Sequence, residues 1–378
     1  MAQVRQNYLY RKNSGKEMNQ QEYFLLTRIL LQFEQRTQDI VSDISAAAFS
    51  DDGSLWIGSD EMVGVERLSP IGCSRYGKHQ RFLLKDYIEL FDDDEIDIEG
   101  MDFANGYLWL TGSHSMKRKK PKGKNLETDL KRLATISTDL NRFILARIPV
   151  VNGELIKEGM TGKGEQLVAD SLQKVNQRDL LFEILKEDAH LQPFINGKIP
   201  SKDNGLDIEG LAVASNNRLF IGLRGPVLRG WAIIIEIQVT QSQPGVLVLQ
   251  PIRDDGVKYK KHFLDLNGLG IRELCLRGKD LIILAGPTMG LEARMQVFCW
   301  KNAVDSVGDN IYQQDQDSLF PLFDLPFTAG CDYAEGLALY SCWGDKDGLM
   351  VFYDLPSEQR LRRDKQILVD VFQIPIQL

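Results

Sequence analysis

Carboxylates recur at one place in a phrase that the chain repeats. Asp97-Ile98-Glu99-Gly100-Met101 is echoed by Asp207-Ile208-Glu209-Gly210-Leu211, by Ala334-Glu335-Gly336-Leu337 and, less closely, by Ile271-Arg272-Glu273-Leu274. Asp43-Ile44-Ser45-Ala46-Ala47 is a degenerate copy with serine at the acidic position. If the copies surround an axis, Glu99, Glu209, Glu273 and Glu335 gather there. Two like charges about 4 Å apart repel by ~4 kcal/mol at an effective dielectric near 20. A cation, an arginine or a raised pKa must offset this. A hard cation such as Ca²⁺ takes about six to eight oxygen ligands, so the four glutamates form a candidate metal set. The competing expectation is that each glutamate is a structural tie to backbone N–H groups or to Arg224 or Arg272.

Other side chains could act beside such a centre. His114 follows Gly112-Ser113 and is a candidate base, with Glu99 and Glu209 as candidate catalytic carboxylates. Arg224 and Arg229 flank Gly225-Pro226 and could clamp a carboxylate or phosphate. The basic run Lys117 to Asn125 adds Lys117, Lys119 and Lys120 as candidate anion-binding groups, in a segment expected to be a mobile loop. The sequence has no P-loop, no GxSxG elbow, no HExxH and no GxGxxG, which removes the common nucleotide, serine-hydrolase and zinc-protease chemistries.

The elements that would position these residues are strands. Most copies are followed by a turn and an apolar run: Leu55-Trp56-Ile57-Gly58, Leu108-Trp109-Leu110-Thr111, Leu219-Phe220-Ile221-Gly222 and Leu281-Ile282-Ile283-Leu284. Trp56 and Trp109 recur at one position and are expected to pack the repeats. In an antiparallel meander the start of the first strand and the end of the second share one sheet edge. The glutamates, His114, Arg224 and the basic run are therefore expected on one face. Third strands are expected at Phe143–Val150, Trp231–Val239, Met295–Trp300 and Leu349–Tyr353, and outer strands at Phe82–Leu90, Phe263–Leu266 and Leu319–Leu325.

Aligned on the glutamate, the copies are spaced by 54, 110, 64 and 62 residues. These are stretched propeller-blade periods. The long gap is expected to hold a helical insertion at about 171–191, with Asp170 or Ser171 as N-cap. The fold expected is all-β: one β-propeller over 24–378, five blades or alternatively six, following a mobile tail at 1–23. Phe24–Phe33 and Gln366–Ile374 are expected to meet and close the ring, since an open one leaves raw strand edges.

A net charge of −8 and a pI near 5.3 argue against nucleic acid as a partner. No apolar run reaches the length of a membrane span, and no membrane partner is expected. Five scattered cysteines without a CxxC pair suit a reducing cytoplasm.

The phrases quoted above, together with Ile221-Gly222-Leu223-Arg224-Gly225-Pro226, resemble an uncharacterised bacterial domain-of-unknown-function family of propeller type over about residues 40–356. The Glu-Gly-Leu/Met phrase is more distantly similar to the phytase-like esterase propellers. That second resemblance implies metal-assisted hydrolysis of a phosphorylated or anionic ester, with Glu99, Glu209, Glu273 and Glu335 as metal or substrate ligands. The alternative is a non-catalytic propeller whose top face binds a small anionic ligand or a protein.

Overall fold

A computed structural model describes residues 24–34, 40–160, 164, 166–315, 317–342, 345–363 and 365–374. The expected tail at 1–23 lies outside them. The chain is predominantly β and follows one scheme: an innermost strand, a tight turn, then successive antiparallel strands outward. Ile44–Phe49 leads to Leu55–Ser59, Gly64–Gly72 and Arg75–Leu83. Ile98–Ala104 leads to Tyr107–Gly112, Leu145–Val151 and Asp170–Leu172. Asp207–Ala214 leads to Arg218–Leu228, Trp231–Gln243 and Tyr259–Asp265. Gly270–Arg277 leads to Asp280–Gly286, Gln296–Trp300 and Leu319–Asp324. Tyr333–Cys342 leads to Asp345–Asp354 and Gln366–Gln373.

That last set is completed by the other end of the chain. Leu25–Gln32 pairs antiparallel with Gln366–Gln373, from Leu25 opposite Phe372 to Gln32 opposite Gln366. The innermost strands pack in a cycle, each beside the next, with Tyr333–Cys342 returning to Ile44–Phe49. This is a propeller-like arrangement. The apolar core lies between successive sets. Trp56 and Ala46 meet Ile98 and Met101, and Trp109 and Leu145 meet Leu211 and Ile221. Phe220 meets Ile271 and Phe298, Ile282 and Val297 meet Leu337 and Val351, and Phe352 meets Ile44 and Ile57.

Polar side chains pin third strands to outer ones. Glu66 holds His79 at 2.5 Å, Arg147 holds Asp170 at 2.7 Å, and Glu236 holds His262 at 2.8 Å. Gln296 donates to Asp324 at 2.6 Å, and Arg28 donates to Asp370 at 2.9 Å.

Several elements differ from expectation. Leu349–Tyr353 is part of a second strand, because Gln366–Gln373 is the third. The outer strand of the first set is Arg75–Leu83, and Leu84–Asp86 is a 3-10 turn. Its exposed face is polar, so the segment lacks a continuous apolar run. The expected helix at 171–191 shrinks to Leu180–Leu185, with Gln192–Asn196 after it. Asp179, not Asp170 or Ser171, is the N-cap and accepts from the Phe182 amide at 3.0 Å. Asp170 serves Arg147, Gln241 and the Gly245 amide instead. The basic run is an arm: Lys117–Arg118 pairs with Ile136–Ser137, and helix Leu126–Ala134 stands between them, capped by Asn125.

Candidate functional site: a carboxylate centre on the sheet edge

Each innermost strand carries a bulge at the same point. The register slips between Ile44 and Ala46, Ile98 and Gly100, Ile208 and Gly210, Ile271 and Glu273, and Ala334 and Gly336. The bulged residues are therefore Ser45, Glu99, Glu209, Arg272 and Glu335. A bulge re-aims its side chain, which is why bulges collect beside functional sites. The register aligns the fourth copy one residue earlier than its glutamate suggested: Arg272 is the counterpart of Glu209, and Glu273 is the counterpart of Gly210. Beside the bulges stand Asp60 and Ser113, each just past the end of its second strand, Arg224 within its second strand, and Asp354 at the end of its own.

Glu273 consequently turns away from the centre. It is fully buried, and one carboxylate oxygen accepts from the Leu211 amide at 3.1 Å and its neighbour Leu274 at 2.8 Å. Asp102 makes a similar tie to the Val213 amide at 2.7 Å. These amides lie on the innermost strand Asp207–Ala214, whose inward edge has no strand partner of its own. A carboxylate there satisfies a backbone donor that would otherwise be buried unpaired. Ser45 does the converse by donating to the Ile98 carbonyl.

One side of the centre is charge-compensated. Arg224 bridges Asp207 and Glu209, at 2.5 Å from Glu209, and Arg272 joins Glu209 at 2.9 Å to Glu335. Burial still pushes the Glu209 carboxyl up to about 7, against the pull of both arginines. The other side is compensated only in part. Ligand atoms of Asp60, Asp97 and Glu99 lie within 4.8 Å of one another. Asp97 meets Arg142 at 2.5 Å through one oxygen, while its other oxygen is buried without a hydrogen-bond partner. Burial, then the neighbouring carboxylates Glu335, Asp97 and Asp354, push Asp60 up to about 8. Burial and Asp97, Glu209 and Asp60 hold Glu99 well above the usual carboxylate range. Asp354 is raised to about 7 by burial and Glu335. The carboxylates Asp43, Asp60, Glu61, Asp97, Glu99, Asp207, Glu209, Glu335 and Asp354 thus form one electrostatic group with the guanidiniums Arg142, Arg224 and Arg272.

The remaining candidates are placed differently. His114 is 1% exposed and locked: Nε2 lies 2.6 Å from Asp179 and Nδ1 2.8 Å from the Gly112 carbonyl. Burial works against its charge, yet Asp179 and Gly112 hold its pKa above the ordinary value. It fastens the capped helix Leu180–Leu185 to the strand end, and neither nitrogen is left for a substrate. Arg229 is exposed in the turn between Arg218–Leu228 and Trp231–Gln243. Lys117 pairs with Asp139 at 2.5 Å, and Lys119 and Lys120 are exposed on the arm. The structure thus brings Glu99, Glu209 and Glu335 together with Arg224, and leaves Glu273, His114, Arg229 and the arm lysines out of the centre. Sequence reasoning gave no role to Asp60, Asp97, Asp354 or Arg142. Asp97 and Asp207 stand in the repeated phrase itself, two residues before the glutamate, and were the available signal.

The family described as "Protein of unknown function (DUF3616)" is matched over residues 43–370. No curated protein matches. Among solved structures, virginiamycin B lyase from Staphylococcus aureus is 10% identical, with 93% of this chain and 100% of that chain covered and a TM-score of 0.35. The PQQ-bound aldose sugar dehydrogenase from Streptomyces coelicolor is 8% identical, with 91% and 98% covered and a TM-score of 0.36. Likeness at this level carries nothing about chemistry.

Proposed function

The chain belongs to the family of proteins of unknown function DUF3616, and from that premise we propose that its carboxylate centre is a divalent-cation site serving the hydrolysis of an anionic ester. The observation that carries the reading is the trio Asp60, Asp97 and Glu99, in which one guanidinium, Arg142 on Asp97, faces three carboxylates and one buried Asp97 oxygen has no hydrogen-bond partner among the described residues. Three carboxylates that share a site with one guanidinium must hold protons or a cation. Oxygen-only ligands on a shared edge suit Ca²⁺ or Mg²⁺, which complete their shells with water and substrate oxygens. Such a cation would polarise an ester oxygen and lower the pKa of a bound water. Glu209 and Glu335, fixed by Arg224 and Arg272, would border the substrate. We read the strand cycle as five blades, with the centre at the axis on their shared edge.

A second reading is favoured by a specific observation. Arg224, expected to hold an anion, is occupied by Asp207 and Glu209. On that reading the face binds a ligand or protein without catalysis.

Isothermal titration of the chelated protein with Ca²⁺, Mg²⁺ and Mn²⁺ tests the site. One cation bound per chain is expected, with affinity lowered at least about tenfold by Glu99→Gln or Asp60→Asn. Absence of binding would sink the cation site and the hydrolase with it. Binding without turnover of phosphoesters or lactones would select the second reading.

A further inference from the structure

The arm between Lys117 and Ser137 carries apolar side chains that nothing among the described residues covers. Leu126, Leu130 and Leu133 are 77%, 59% and 44% exposed. Their spacing places them on one stripe of helix Leu126–Ala134, on adjacent turns. An exposed leucine is ordinary, but three on one helix stripe form a contact surface.

The segment before the helix is strongly basic. Lys119, Lys120, Lys122 and Lys124 are all exposed, in a chain whose net charge is −8. The loop's own backbone is held without them: Asp129 accepts from the Lys122 and Gly123 amides at 2.8 and 2.9 Å. Arg132 donates to the Lys120 carbonyl at 2.6 Å. The arm is rooted by Arg118, which meets Asp203 at 2.7 Å. The lysines are therefore not needed to fold the arm.

We propose that this arm is a docking element for an anionic lipid surface, the leucine stripe entering the interface and the lysine cluster meeting the headgroups. A lipid surface offers negative charge and an apolar layer side by side, which is what the arm complements. The exposed acidic segment 91–95 is tied to Asn141, a few residues past the arm, and opposes flat docking of a larger face. The arm makes the contact alone. This is attachment to a surface and not a span: no helix among the described residues is long and apolar enough to cross a membrane. The proposal rests on the arm and is independent of the cation site.

The test is co-sedimentation of the full chain with vesicles of phosphatidylcholine, with and without phosphatidylglycerol, in the presence of a chelator. Binding is expected only to the anionic vesicles, and to fall as salt is raised. Replacing Lys119, Lys120, Lys122 and Lys124 by Gln should weaken it by more than about a hundredfold. Leu126→Ser with Leu130→Ser and Leu133→Ser should remove the binding that survives high salt. Circular dichroism and the melting temperature report whether the variants stay folded, and Lys122→Glu with Lys124→Glu leaves the helix sequence untouched as a second probe. No binding to either vesicle, or binding unchanged by the lysine variants, overturns the proposal. So does capture by immobilised polyglutamate without vesicle binding, which would assign the arm to an acidic protein.

Discussion

Among the described residues Asp60 and Glu99 have no guanidinium in direct ion-pair contact, whereas Glu209 touches two. This difference fixes how the centre responds to pH. Asp60 holds its proton up to about 8 when folded, against an ordinary carboxyl value of 3.8. Between those values the folded protein binds more protons than the unfolded one, so stability falls as pH rises. The cation-free protein is expected to melt several degrees lower at pH 8 than at pH 5.5 by differential scanning calorimetry. Asp60→Asn should flatten that slope, and added divalent cation should restore the melting temperature at pH 8. A slope unchanged by Asp60→Asn would place the repulsion elsewhere.

At the scale of the element, the glycine that follows the repeated glutamate answers a packing demand. A Cβ on Gly210 would meet Leu274 Cγ at 2.9 Å and the Leu274 amide nitrogen at 3.2 Å, both on the next innermost strand. A Cβ on Gly100 would meet Leu211 Cβ at 3.0 Å. These glycines let the bulged strands approach closely at the axis. Gly210→Val is expected to cost about 1–3 kcal/mol by overpacking, read as a lower denaturation midpoint in urea. An unchanged midpoint would mean that the axis tolerates a branched side chain there. The fourth copy breaks the pattern, since Glu273 occupies the glycine position and uses its side chain to tie the neighbouring strand through Leu211. Periodicity identified the phrase, but only the register could separate Arg272 from Glu273, because both are charged and adjacent.

For the whole molecule, closure depends on the two ends of the chain. Leu25–Gln32 covers the outer edge of Gln366–Gln373, and Ile29 and Leu31 are fully buried against Ile367 and Val369. Deleting residues 1–33 should expose a long apolar edge and give aggregation by size-exclusion chromatography. A monomeric, cooperatively melting product would show that the other sets close without that strand. This pairing was legible in the sequence, because two apolar segments were left without a repeat to join. The all-β class, the recurring strand pair and the shared sheet edge were legible for the same reason: period and turn chemistry are local properties that a chain carries in its own order. The tertiary structure alone decided which charges meet. Distances between residues such as Asp60 and Glu99, or His114 and Asp179, depend on how separate strands are brought side by side. An electrostatic site changes character when a single register slip exchanges an arginine for a carboxylate.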